Sequence, residues 1–133
     1  MIKLLIISAT SQSNLLLANS ISNIIQNSKY KVKVLNIEEY ELPLFNPSKV
    51  NLDKKNNMNS IKIITNEIVA ANGVIICAPE YNGNVPPVLS NAIAWISVTT
   101  SYWKDGFKDK NYFIASSSGG DAENFQKSMQ SQL

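Results

Sequence analysis

The sequence has 133 residues, 12 of them basic and 10 acidic, a net charge of +2 and no histidine. That length allows one domain with a real core, and a near balance of charge without a basic run or stripe excludes nucleic acid as an implied partner. The lack of histidine removes the usual general base, a Ser-His-Asp arrangement and the commonest metal ligand together, so any reaction here would rest on a cofactor.

Ile2 to Ile7 is a near-continuous aliphatic run, which predicts a strand buried on both faces of a parallel sheet. It passes directly into a polar loop, with no cleavage-like signal, and the longest apolar runs fall far short of a membrane span, so the expected compartment is the cytoplasm. The loop, Ser8 to Asn14, is rich in hydroxyls. Leu17, Ala18, Ile21, Ile24 and Ile25 then predict an amphipathic helix to about Ser28, with Ser13 or Asn14 as its N-cap. A strand, a polar loop and a helix start make an anion site, because unpaired amides and the positive helix end face the loop; the same hydroxyls could equally serve only as caps.

Val32, Val34, Leu35 and Ile37 predict the second strand. Glu38 to about Asn57, with Pro43 and Pro47, reads as a long loop, and its acidic residues Glu38, Glu39 and Glu41 as a solvated segment rather than a catalytic one. Ile61, Ile64, Ile68 and Val69 share one face of a helix expected from Asn59 or Ser60, with Asn72-Gly73 as its C-cap.

Gly73 to Cys77 predicts the third strand, again aliphatic and β-branched. Cys77 is the single cysteine, which rules out an internal disulfide, agrees with a reducing interior and reads as a packed core thiol. The turn Pro79 to Val85, dense in Pro, Asn and Gly, lies at a strand's carboxyl end, where open α/β sheets bind ligands. Pro86 or Pro87 opens the next helix, carried by Val88, Leu89, Ala92, Ile93 and Ile96.

The stretch from Pro79 to Trp95 resembles the P-E-Y-N-x-S-x-P-x-x-L-K-N-A-I-D-W signature of the NADPH-dependent FMN reductases, whose relatives include azo, quinone and chromate reductases. Asn84, Ser90 and Ala94 stand where that signature has Ser, Lys and Asp. Ser8-x-Thr10-Ser11-x-Ser13 is similar to the [ST]-x-T-G-x-T phosphate loop of flavodoxins, with Ser11 at the glycine; against the reductases' longer G-S-x-R-x-x-S-x-N loop it is shortened and lacks the arginine. Leu42-Pro43-Leu44-Phe45 resembles the reductases' Leu-Pro-rich loop, which contributes to the active-site rim or the subunit contact; folding back onto the core is the alternative.

Tyr102, Trp103 and Phe107, in the connection from Ser97 to Lys110, could cover a flavin, meet another subunit or pack locally. Tyr112 to Ala115 predicts the fourth strand, ending in Ser116-Ser117-Ser118-Gly119-Gly120, before a helix from Asp121 or Ala122 with Phe125 and Met129. This loop is similar to the reductases' S-x-G-x-x-G-G, where glycine lets the backbone approach a planar ring.

The resemblance implies one flavodoxin-like domain over residues 1–133, an α/β doubly wound parallel sheet of order 2-1-3-4. A fifth strand and helix are expected after Leu133, so the domain is incomplete at that end or its edge is closed by another chain. It also implies FMN as cofactor, NADPH or NADH as hydride donor, a small electron acceptor such as free flavin or a quinone, and a homodimer or homotetramer. Thr10, Ser11, Gln12, Ser13 and Asn14 would hold the phosphate. Pro79, Glu80, Tyr81, Asn82 and Gly83 would hold the ring, joined by Ser117, Ser118 and Gly119, with backbone amides of these two loops facing the ring edge. The alternatives are a flavodoxin-like electron carrier, favoured by the short first loop, and a flavin-free protein on the same scaffold.

Overall fold

The computed structural model describes residues 1–133. Strands β1 (Ile2–Ser8), β2 (Tyr30–Asn36), β3 (Gly73–Cys77) and β4 (Asn111–Ala115) form one parallel sheet in the order β2-β1-β3-β4. Helices α1 (Ser13–Ile25), α2 (Val50–Ala70), α3 (Pro87–Thr99) and α4 (Glu123–Gln132) make the connections and cover its faces. The continuous aliphatic runs are needed because both faces are covered. Leu5, Ile7, Val74 and Ile76 join the main core with Ile64 and Ile68 of α2, Leu89, Ala92 and Ile96 of α3, and Phe125 and Met129 of α4. Ile6 and Cys77 point the other way, to Ala18 of α1. That second face is covered by α1 alone, and Phe113 of β4 remains 61% exposed on it.

The register is what positions the site. Ser8 pairs with Asn36 on one side and Cys77 on the other, and Cys77 pairs with Ala115, so all four strands end in one row. Two further bonds, Ala9 N–H to the Cys77 carbonyl at 2.9 Å and Ala78 N–H to the Ala115 carbonyl at 3.2 Å, carry the ladder one step past that row.

Several local expectations change. Helix α2 begins at Val50, about ten residues before the expected start. Asn46 caps a short 3-10 turn at Pro47–Lys49 by accepting from Ser48 N–H at 3.0 Å, and the chain runs straight on into helix. The helix kinks at Asn57 (φ −120°, ψ 20°), whose side-chain amide donates to the Asp53 carbonyl at 3.1 Å and so competes with the backbone ladder.

Its far end is not the left-handed cap expected at Asn72-Gly73. Ala71 is extended, Gly73 has joined β3, and the Lys110 ammonium donates to the carbonyls of Val69 (3.1 Å) and Ala71 (2.8 Å) at the helix's negative end. Burial holds the Lys110 ammonium below its usual pKa range. Gly73 instead fits a close packing, since a Cβ there would sit 3.1 Å from Leu4 Cδ2, which would have to shift slightly. Val69 and Ile24, expected on apolar faces, are exposed.

The Leu42–Phe45 segment folds onto α3. The Pro43 carbonyl accepts from Trp95 Nε1 at 2.7 Å and Asn91 Nδ2 at 3.0 Å, Asn91 Oδ1 accepts from Phe45 N–H at 2.7 Å, and the Phe45 ring meets Trp95 edge-on with centroids 5.3 Å apart. In the Ser97–Lys110 connection, Phe107 is buried in the main core, while Tyr102 and Trp103 are exposed.

Asn91→Ala removes both Asn91 bonds and strands the Phe45 N–H; urea denaturation is expected to show a loss of roughly 1–3 kcal/mol. Burial also pushes the Cys77 thiol up to about 11, so little thiolate exists at neutral pH. A disulfide reagent is therefore expected to label Cys77 slowly in the native protein and rapidly once denaturant opens the core.

Candidate functional site

Three loops leave the row of strand ends and enclose a cavity of about 450 Å3, a size suited to a small-molecule ligand. It is lined by Thr10, Ser11, Gln12, Ser13 and Asn14 from the first loop, by Pro79, Glu80 and Tyr81 from the second, and by Ser117, Ser118 and Gly119 from the third. Asn82 and Gly83, expected beside them, do not line it. They form the tip of a tight turn in which Tyr81 and Asn84 exchange N–H to carbonyl bonds of 3.1 and 3.0 Å. Both tip residues have positive φ, 49° and 66°, which is the backbone that Asn-Gly supplies for a two-residue turn. None of Leu42 to Phe45, Tyr102, Trp103 or Phe107 reaches the cavity.

Side-chain bonds fix the loops to one another. Asn14, 2% exposed, was expected as a cap, but the N-cap position of α1 is Gln12 and no side chain caps it. The Asn14 amide instead pairs with the backbone of Ser117, donating to its carbonyl at 3.0 Å and accepting from its N–H at 2.9 Å. Glu80 ties the second loop to two neighbours. Its N–H donates to Ser118 Oγ at 2.7 Å, and its carboxylate accepts from Phe125 N–H at 2.8 Å, capping the first turn of α4 from outside. Ala122, before that turn, is buried and left-handed (φ 55°).

These bonds determine which donors remain for a ligand. The amides of Glu80, Tyr81 and Ser117 are satisfied within the protein, so these three are not among the donors left free at the cavity. The N–H groups of the N-cap Gln12 and of Ser13 and Asn14, which open α1, have no protein acceptor, and neither do those of Ser118 and Gly119. A Cβ on Gly119 would meet nothing within 4 Å, so the third loop presents an open backbone surface. The Ser116 hydroxyl, at the same strand end, is buried without a partner.

The sequence reading missed one lining residue, Glu38. It sits on a 3-10 turn (Ile37–Tyr40) after β2, capped by Asn36 Oδ1, and its carboxylate accepts from Ser11 N–H at 3.0 Å and from Ser11 Oγ. Asn36 Nδ2 donates to the same Ser11 Oγ at 2.9 Å. Its position just past a strand end, next to β1, was the available signal; its neighbours Glu39 and Glu41 made it look like surface. The cavity wall thus holds two carboxylates, Glu38 and Glu80, and no lysine, and the chain has no arginine.

The family model for NADPH-dependent FMN reductase matches residues 2–132. Among solved structures, the chain is similar to a flavoenzyme NAD(P)H:(acceptor) oxidoreductase from Paracoccus denitrificans, at 20% identity and a TM-score of 0.78 over 98% of this chain and 70% of that one. An azoreductase from Bacillus anthracis matches at 20% identity and a TM-score of 0.72, over 99% of this chain and 80% of the other. An FMN-dependent NADH-azoreductase from Bacillus anthracis, solved in complex with FMN, matches at 19% identity and a TM-score of 0.65, over 98% and 80%. At such identities the structural likenesses speak for the flavodoxin-like fold. With the family match across almost its whole length, the chain belongs to the NADPH-dependent FMN reductase family.

Proposed function

We propose that this chain is an NAD(P)H-dependent flavin oxidoreductase that uses FMN to reduce free flavin, quinones or similar small acceptors. The observation that carries this reading is the convergence of three strand-end loops on one cavity whose first loop offers the free N–H groups of Gln12, Ser13 and Asn14 at a helix start. That donor set suits a phosphate, and the open backbone at Ser118 and Gly119 suits the flat face or edge of a ring. The residues present therefore fit FMN. When bound, FMN would accept a hydride from a reduced nicotinamide and pass electrons on, chemistry that asks no acid or base of the protein.

What the chain's residues contribute is binding and orientation. Thr10, Ser11 and Ser13 add hydroxyls to the α1 amides around the phosphate, and Pro79, Glu80 and Tyr81 add a wall tied to the third loop through Ser118. Tyr81, half exposed, stands at the mouth, where a nicotinamide or an acceptor would enter. Asn82 and Gly83 act through the turn that holds Tyr81 in place. A cytoplasmic homodimer or homotetramer is part of the same reading, supported by the lone buried thiol and by exposed Tyr102, Trp103 and Phe113.

Titration of the purified protein with FMN is expected to quench flavin fluorescence saturably, and NADPH added without oxygen to bleach the flavin absorbance. Binding without bleaching by either nicotinamide would favour an electron carrier, for which the short first loop speaks, and no binding would sink both. Asn14→Ala breaks both bonds to Ser117 and frees the third loop, so FMN affinity is expected to fall roughly tenfold, about 1.4 kcal/mol, in the same titration.

A further inference from the structure

The end of the cavity suited to a phosphate is already in contact with an anion from the protein itself. One oxygen of Glu38 receives both the N–H and the hydroxyl of Ser11, the paired donation with which a loop grips a phosphate oxygen. Asn36 enforces the arrangement. By donating to Ser11 Oγ it leaves the hydroxyl hydrogen free for Glu38, and by accepting from Glu38 N–H it sets where the carboxylate sits. No cation neutralises that charge, since Glu38 has no salt bridge and the lining contains no lysine. Glu38 is also exposed, so it can rotate away without disturbing the core.

We propose that Glu38 sets the selectivity of the site for the charge on its ligand's tail: the carboxylate holds the Ser11 donors against an incoming phosphate, so FMN must displace it, whereas riboflavin, with a neutral hydroxyl at the end of its ribityl chain, need not. This rests on the flavin-binding reading and adds to it that affinity for the phosphorylated form is held down by one side chain. Two like charges brought to the same donors repel, and the missing arginine leaves nothing to counter them. FMN and riboflavin then bind with similar strength, although the α1 amides by themselves favour FMN.

The test is a fluorescence titration of riboflavin and of FMN against the unaltered protein, Glu38→Gln, Glu38→Ala and Glu39→Gln, at a slightly alkaline pH that keeps the phosphate dianionic. Glu39 is the charge control, because it lies one residue on and its only hydrogen bond is from Asn36, at 3.4 Å. Both Glu38 variants are expected to tighten FMN by roughly tenfold or more, the scale of a removed like-charge contact. Riboflavin affinity and the Glu39→Gln protein are expected to change less than about twofold, as for a screened surface charge.

FMN affinity that is unchanged or weaker in both Glu38 variants overturns the proposal, as does equal tightening by Glu39→Gln. Parallel shifts for riboflavin and FMN also overturn it, since Glu38 would then act on the shared ribityl chain or on the loop as a whole. If neither flavin binds any of the four proteins, the flavin reading itself fails and this inference with it, an outcome distinct from riboflavin binding with FMN indifferent to Glu38.

Discussion

The structure depends on the in-register ending of four parallel strands. Ser8, Asn36, Cys77 and Ala115 lie in one row, so each chain segment that leaves the sheet does so at the same level. Side-chain direction alternates along a strand, and a slip of one residue would exchange Ile6 for Ile7 between the two cores. The apolar pattern therefore fixes the height of the loops as well as the packing beneath them. Because ligand binding in such sheets belongs to the carboxyl ends of the strands, one constraint serves stability and function together.

On that row, the loops are organised by a short chain of polar contacts: Asn36 and Glu38 to Ser11, Asn14 to Ser117, and Glu80 to Ser118 and onward to α4. Most of these bonds satisfy a backbone group, and the bond from Asn36 to Ser11 Oγ orients a hydroxyl instead. What is left over is selective: amides at the start of α1 and in the third loop, both lining one cavity. Preorganisation of this kind keeps the donors in place before a ligand arrives, so less ordering is required on binding. Glu80 shows the economy of the arrangement, since its backbone joins two loops while its carboxylate orients a helix whose own cap residue, Ala122, has no side chain able to do so.

The sheet was legible because burial on both faces leaves an unmistakable aliphatic run, as in Ile2 to Ile7 and Gly73 to Cys77. Three of the four loops at the strand ends were legible for a related reason: hydroxyl, proline and glycine clusters followed those runs immediately. The first half of α2 was not. Val50 to Asn57 is a mostly solvated helix, so it carries little apolar periodicity to read, and its start depends on Asn46 and Pro47 in the preceding turn. The end of α2 was misread because its carbonyls are capped by Lys110, about forty residues away, rather than by the adjacent Asn72-Gly73. Asn14 and Glu38 failed in a like way. Their local meanings, helix cap and solvated acid, are sound, and contacts distant in sequence replace them with others.

The partial covering of the α1 face bears on which chains can pair with the sheet. Strand β4 is an edge, with one row of unsatisfied amides and carbonyls and with Phe113 bare beside it, the kind of border that can recruit any extended chain. It is only five residues long, and it is entered through Lys108, Asp109 and Lys110. Short length and flanking charge are the features that keep such borders from templating aggregates. In this chain the lysine that caps α2 therefore also contributes a charge at the entry to β4.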